Sequence, residues 1–377
     1  MARTAQRKPR TGKPRPGDAS LPRLLLSDIK RTQFRRQYRQ ELWDLYVFYL
    51  DAADRERLAS MGRVGRWVRV VPWLLKSLLT KLTPGRRLAL AAALLLFLLN
   101  RGTMVLWQFQ FEYNLRSWAF LVLLVVLALE LKDKLVARDE IMAARQVQLA
   151  ILPQRAPSFA GWSIWSRTIP ANDVGGDLVD FFDLPGERLA AMLGDVSGKG
   201  LPAALLMAKL QATLRAMAPE STDLARLARR VNQVMCRDGI ENRFATLFYA
   251  ELAHDGTLRY FNAGHNPPLL VREGAVEKMH ASGIPVGMLE GAEYAGAEAT
   301  LAPGDLLIVY SDGLVEARDA RGEEFGLERL ERLAALLRDV PVEQAGATIA
   351  QRHREVVGDG KPTDDWSLLL VRYAPRS

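Results

Sequence analysis

Cysteine is nearly absent from this chain: Cys236 is the only one in 377 residues, which excludes an internal disulfide and any multi-thiolate metal site. Histidine is scarce too, with His254, His265, His280 and His353, and neither HExxH nor CxxC occurs, so zinc chemistry has little to stand on. No apolar run approaches the ~20 residues that a helix needs to cross a bilayer. The two longest, 88–99 and 118–129, have 12 residues each. A P-loop is missing as well, because Lys199 in GDVSGKGL is followed by Gly200 rather than Ser or Thr. Wholesale disorder is excluded by 49% hydrophobic against 25% charged residues.

The net charge of +8 is unevenly spread. Residues 1–87 hold 21 Lys and Arg against 7 Asp and Glu, whereas 88–377 hold 30 against 36. A basic N-terminal portion facing a polyanion points to nucleic acid or to an anionic membrane surface. The apolar runs that follow it favour the membrane, and no nucleic acid partner is expected. The length suits about two units, each with its own core.

Residues 1–22 are basic and rich in Pro and Gly and read as a disordered tail, with no apolar stretch of the kind a secretory signal carries. In 23–84, Phe34, Tyr38, Leu42, Leu45 and Tyr46 share one helical face among arginines. That pattern fits either packed helices or a helix lying on a membrane surface. Residues 85–131 contain the two apolar runs. With flanking residues recruited, the first through Met104, Val105 and Trp107 and the second from near Leu115, they read as a transmembrane helical hairpin; the alternative is a pair of buried core helices. Lys81, Arg86 and Arg87 on one flank and Lys132, Lys134 and Arg138 on the other place both ends in the cytoplasm, at the inner membrane. Residues 132–153 read as a helix ended by Pro153, either a plain linker or a signalling coiled coil that pairs two copies of the chain.

From residue 154 to 377 the pattern changes. Short apolar runs (SIWSRTI, RLAAMLGDV, ATLFYAEL, TLRYFNAG, DLLIVYSDG, WSLLLVRY) read as strands, and Pro202–Met217, Leu224–Cys236, Leu327–Leu337 and Val342–Val356 as helices. Strands and helices grouped in this way imply an α+β fold with layered sheets. Four acidic segments stand out, each placing Asp beside Gly or a second Asp next to an apolar strand: VGGDLVDF (Asp177, Asp180), MLGDVSGKG (Asp195), VYSDGLVE (Asp312) and PTDDWSLLLV (Asp364, Asp365). One Asp-Gly pair is an ordinary turn. Several carboxylates converging at strand ends are costly unless a cation offsets them, and an oxygen-only donor set points to Mg²⁺ or Mn²⁺.

VGGDLVDF, GDVSGKGLPAALLMAKLQATLR, NAGHNPPLL, GIPVGM, GDLLIVYSDGLVEA and DDWSLLLV, in this order, resemble the motif series of the SpoIIE/RsbU-type PP2C (PPM) serine/threonine phosphatases, over roughly residues 140–374. ARQVQLAILPQRAP resembles the helix and Leu-Pro turn that introduce that domain. The resemblance implies an αββα sandwich of two central antiparallel sheets and a centre of two Mn²⁺ or Mg²⁺ ions. Carried over by motif, Asp195 would bridge both ions, Asp177 and the carbonyl of Val196 would serve the first, and Asp312 and Asp364 the second, with Asp365 the other member of its pair. Asp180 is left as an outer carboxylate or a surface one, Lys199 as solvent-facing or phosphate-steering, and His265 as part of a turn or a proton carrier. The implied reaction is hydrolysis of phosphoserine or phosphothreonine by metal-activated water. The implied substrate is a phosphorylated protein, with STAS-type anti-sigma-factor antagonists frequent in the family. Trp366 and Ser367 depart from the family pattern, where a small apolar residue and Thr are commoner. GGDLVDF superficially matches the GGDEF signature, but Leu178 stands where an acidic residue is needed. A non-catalytic membrane scaffold on the same fold is the rival reading.

Overall fold

The structure is a computed structural model that describes residues 69, 73, 76, 77, 79–99, 101–106, 109–153, 155–239, 243–280, 282–358 and 362–375, with the backbone alone over 101–106 and 109–113. The expected tail 1–22 and nearly all of 23–84 lie outside the described residues. The chain divides into two compact units, Met1–Asp133 and Lys134–Ser377.

In the first unit, α1 (Pro84–Leu99) leads into a tight antiparallel pair, β1 (Arg101–Leu106) and β2 (Phe109–Asn114), after which α2 (Leu115–Ile151) begins. Arg86 forms ion pairs with Glu130 at 2.7 Å and Asp133 at 2.6 Å. At the other end of α1, the Arg116 guanidinium lies 5.3 Å from the centre of the Phe97 ring. The two helices therefore run antiparallel, but strands close the hairpin where continued helix was expected through Met104 and Val105; Trp107 lies outside the described residues.

The transmembrane hairpin is corrected here, since among the described residues no helix is long and apolar enough to cross a membrane. The 16 residues of α1 rise about 24 Å against the ~30 Å of a hydrocarbon core. In α2 the uninterrupted apolar run stops at Glu130. α2 runs through to Ile151 and so takes in nearly all of the helix read over 132–153.

The second unit is built from two five-stranded antiparallel sheets. One has the order β10-β7-β6-β5-β4 and the other β3-β12-β11-β8-β9. The first comprises β4 (Leu178–Leu184), β5 (Arg188–Val196), β6 (Ala245–Ala253), β7 (Thr257–Ala263) and β10 (Ala297–Thr300). The second comprises β3 (Trp162–Ile169), β8 (Leu269–Arg272), β9 (Ala275–Lys278), β11 (Leu306–Tyr310) and β12 (Trp366–Tyr373).

Side chains alternate across each strand, and both faces are covered. On β5, Leu189, Ala191 and Leu193 enter the core between the sheets with Val179, Phe248, Val309 and Leu369. Ala190 and Met192 point the other way, against α3 (Leu201–Met217) and α4 (Leu224–Arg237). On the outer face of the second sheet, Ile308, Leu368 and Leu370 pack on α6 (Leu327–Ala335) and α7 (Val342–Val357). The layers run helix, sheet, sheet, helix, as the motif resemblance implied. Strands buried on both faces show little polar alternation, which is why RLAAMLGDV and WSLLLVRY read as nearly continuous apolar runs.

Candidate active site

Antiparallel pairing brings the C-terminal ends of β3, β5, β7 and β11 and the starts of β4, β6 and β12 to one end of the sandwich. Asp195 sits one residue before the end of β5, paired with Thr246 of β6. Beyond Val196 the chain turns through Gly198 and Gly200, both at positive φ, into α3, with Pro202 in its first turn. Ser197 fixes the start of this turn: its N–H donates to the Phe244 carbonyl at 2.9 Å, its hydroxyl accepts from the Phe244 N–H at 2.9 Å, and its carbonyl accepts from Arg243 at 2.8 Å. The loop before β4 lies against this corner. A Cβ at position 176 would stand 3.0 Å from the Val196 carbonyl oxygen and 3.7 Å from Asp195 Oδ1, so glycine there permits the close approach.

The second sheet contributes Asp312, the first residue of a short α5 (Asp312–Val315) directly after β11, and Asp364 and Asp365 just before β12. Ser311 links the two: its hydroxyl accepts from the Ser367 N–H at 2.8 Å and donates to the Asp365 carbonyl at 3.3 Å. The paired aspartates then do different things. Asp365 accepts from the Ala171 N–H at 2.7 Å and the Gly176 N–H at 2.5 Å, so its carboxylate ties the loop that carries Asp177 to the second sheet. Asp364 forms an ion pair with Lys199 at 2.9 Å, and Lys199 also donates to the Thr363 carbonyl at 2.7 Å. In the Asp177 loop, the Gln148 carboxamide bonds Gly175 in both directions, to its carbonyl at 2.6 Å and from its N–H at 3.2 Å.

The carboxylates share an unfavourable field. Burial, followed by the charges of Asp312, Asp364 and Asp365, pushes Asp195 up to about 7. Asp177 is raised well above the carboxylate range by burial and then by Asp195. Neither of its oxygens has a hydrogen-bond partner. Asp312 is raised by burial first and by Asp364 second. Such a group of oxygen donors, short of positive charge and with two buried lone-pair-bearing atoms unused, fits a hard divalent cation. Among the described residues, however, no three acidic, histidine or cysteine side chains stand at spacing suited to one ion. Mutual repulsion favours their separation, and Lys199 competes for Asp364.

Two clefts of about 280 Å³ flank the carboxylates. One reaches Asp177 past Gln148 and Gly175; the other reaches Gly313 and Thr363, the chain neighbours of Asp312 and Asp364.

The fold thus gathers Asp177, Asp195, Asp312, Asp364 and Asp365 at one end and leaves Asp180 out. Asp180 is completely buried on β4 and accepts from Arg215 of α3 through both oxygens, each at 2.7 Å. Sequence reasoning missed the roles of Gln148, Thr246 and Ser311, which are marked by no motif of their own and become visible only through strand register and loop packing. Lys199 is about half exposed, as its solvent-facing reading had it, and pairs with Asp364.

The family model for stage II sporulation protein E (SpoIIE) matches residues 185–374, a span that takes in Asp195, Asp312 and Asp364 and begins just after Asp177. The chain is 32% identical over 234 residues to Protein IcfG of Synechocystis sp., covering 54% of this chain and 37% of that protein. It is 27% identical over 188 residues to phosphoserine phosphatase RsbU of Bacillus subtilis, covering 49% of this chain and 56% of that one. The chain thus spans well under two thirds of either relative. Among solved structures, the SiaA-PP2C domain of Pseudomonas aeruginosa shares the fold, with a TM-score of 0.56 at 21% identity, over 64% of this chain and 98% of that domain.

Proposed function

The chain belongs to the SpoIIE family, and from that premise we propose that it is a PP2C-type, metal-dependent protein phosphatase acting on phosphoserine or phosphothreonine. The observation that carries this reading is the convergence of Asp177, Asp195 and Asp312 at one end of the sandwich, each held above its ordinary pKa by burial and by its neighbours. Asp195, Asp177, the Val196 carbonyl, Asp312 and Asp364 would hold two Mg²⁺ or Mn²⁺ ions. When bound, these ions supply the charge that makes water a nucleophile near neutral pH and that neutralises phosphoryl oxygens.

The chain's own contribution is positional. Asp365 and Gln148 both hold the Asp177 loop, and Ser197 fixes the turn after Asp195. Lys199 is a cation at the mouth of the site, placed to meet a phosphoryl oxygen once Asp364 is otherwise engaged.

Because RsbU is a phosphoserine phosphatase, the substrate class is read as a phosphoprotein, with a STAS-type anti-sigma-factor antagonist of a partner-switching pathway as the specific candidate. The purified chain is expected to release phosphate from a phosphoserine protein and from an aryl phosphate only with Mn²⁺ or Mg²⁺ present. Turnover that persists in excess EDTA would refute the reading. The spacing of the carboxylates favours a second reading, a scaffold that binds partners without turnover. Its signature is tight, metal-independent partner binding by a chain with no hydrolytic activity under any cation.

For location, we propose contact with the inner membrane. Leu88, Phe97 and Leu98 on α1 and Trp118, Phe120 and Leu127 on α2 are each more than half exposed. So large an apolar surface beside a basic N-terminal region suits one lipid leaflet. The chain is expected to float with vesicles containing anionic lipid; recovery in the bottom fraction at low salt would count against this. Farther along α2, Leu135, Met142 and Leu149 recur at heptad spacing and are exposed, which supports pairing with a second copy.

A further inference from the structure

His265 lies in the tight turn after β7, outside the set of metal-binding candidates, and is nonetheless built into the same end of the sandwich. Gly264 precedes it at φ 66°, where a Cβ would overlap Pro285, so the turn that delivers the imidazole depends on glycine. Asn262 fixes its backbone from both sides: the Asn262 carboxamide accepts from the His265 N–H at 2.8 Å and donates to the His265 carbonyl at 3.1 Å.

The side chain is 4% exposed. Its Nδ1 stands 2.8 Å from the Thr246 hydroxyl. That hydroxyl in turn faces the carbonyl oxygen of Asp195, its register partner, at 3.5 Å. Its Nε2 is buried without a hydrogen-bond partner. The imidazole therefore touches the strand pair that presents Asp195. Burial lowers its pKa to about 4, so the ring is neutral at working pH and adds no charge of its own.

Resting on the phosphatase reading above, we propose that His265 is a positioning residue: a strut that, through Thr246, holds Asp195 in place and so sets the affinity of the site for divalent cations. No proton transfer to substrate is assigned to it. Groups that orient ligands from behind typically alter metal affinity by about 10- to 100-fold when removed. The lower end of that range is expected here, because the link to Asp195 runs through a backbone carbonyl.

The test is Mn²⁺ binding by the full chain, read from the EPR signal of free Mn²⁺, for the unsubstituted protein, His265→Ala, Thr246→Val and the double variant. Thermal melts in EDTA report folding separately. Weaker Mn²⁺ binding by about 10-fold is expected in each single variant, with the double variant no worse than either, since both act on one link. Saturating Mn²⁺ is expected to restore kcat toward that of the unsubstituted chain. Unchanged Mn²⁺ affinity in a folded His265→Ala chain would overturn the strut while leaving the phosphatase reading in place. So would a loss that merely matches the fraction unfolded. If the unsubstituted chain itself bound no Mn²⁺, the metal reading would fall, and the strut with it.

Discussion

Asp195→Asn is expected to lower Mn²⁺- or Mg²⁺-supported turnover by on the order of 10³-fold, about 4 kcal/mol of transition-state stabilisation. The same variant is expected to be more stable than the unsubstituted chain in EDTA. In the folded chain Asp195 titrates near 7, against roughly 3.9 for an unfolded Asp. Between these values the folded state binds the extra proton, so stability falls as pH rises through the window, and the penalty is fully present above about pH 7. Asparagine has no such penalty. The full shift corresponds to about 4 kcal/mol. Sharing among coupled carboxylates and partial solvent screening reduce the expected advantage of Asp195→Asn to about 2 kcal/mol at pH 8, vanishing near pH 4. Urea melts of both chains in EDTA across this range measure it, and comparing the two chains cancels the opposing contributions of His265 and His353, whose pKa values burial lowers. Equal stability at pH 8 would mean that Asp195 is neither buried nor crowded as described. Added Mn²⁺ should reverse the order by stabilising the unsubstituted chain.

The largest effect on folding is expected at the Asp180–Arg215 pair, and it is asymmetric. Asp180 is wholly buried, whereas the Arg215 side chain is 45% exposed and lies over the Phe182 ring. Removing the arginine strands a buried carboxylate, whereas removing the carboxylate leaves a guanidinium that can turn to water. Arg215→Met is therefore expected to cost about 3–5 kcal/mol. Asp180→Asn, which retains a hydrogen-bonding side chain, should cost about 1–2 kcal/mol. Denaturant midpoints decide the order; a larger loss for Asp180→Asn would refute the asymmetry. Because this pair clamps β4 to α3, and both follow loops of the acidic cluster, Arg215→Met should also weaken cation binding in the fraction that remains folded.

Much of the second unit was legible because its strands and helices carry their own signals. β5 and β6 were expected to within one residue at either end, and α3 and α4 likewise. β4 was missed as a strand because LVDFFDL mixes charge into an apolar run, and its buried Asp180 is tolerable only through an arginine 35 residues away. The four-residue strands β8, β9 and β10 are too short to show a period. In the first unit the reading went wrong between 100 and 114: apolar content was extrapolated along a helix, but alternating residues such as FQFEYN pair as strands instead. At the site, the motif resemblance located the aspartates and put Asp364 before Asp365 as a ligand candidate, but it did not show what Asp365 does instead. That Asp365 bonds the backbone N–H groups of Ala171 and Gly176 depends on where residues 171–176 pass, and that is a matter of tertiary packing.

The sheet margins bear on how this unit behaves when crowded. β9 and β10 each end a sheet, are only four residues long, and carry Glu277 and Lys278 or Glu298 facing water. A neighbouring molecule adding a strand there would gain few backbone bonds and desolvate charge in the process. The opposite margins, β3 and β4, offer eight and seven residues. Any self-association by strand addition, including aggregation on partial unfolding, should therefore begin along β3 or β4, close to the loop that bears Asp177.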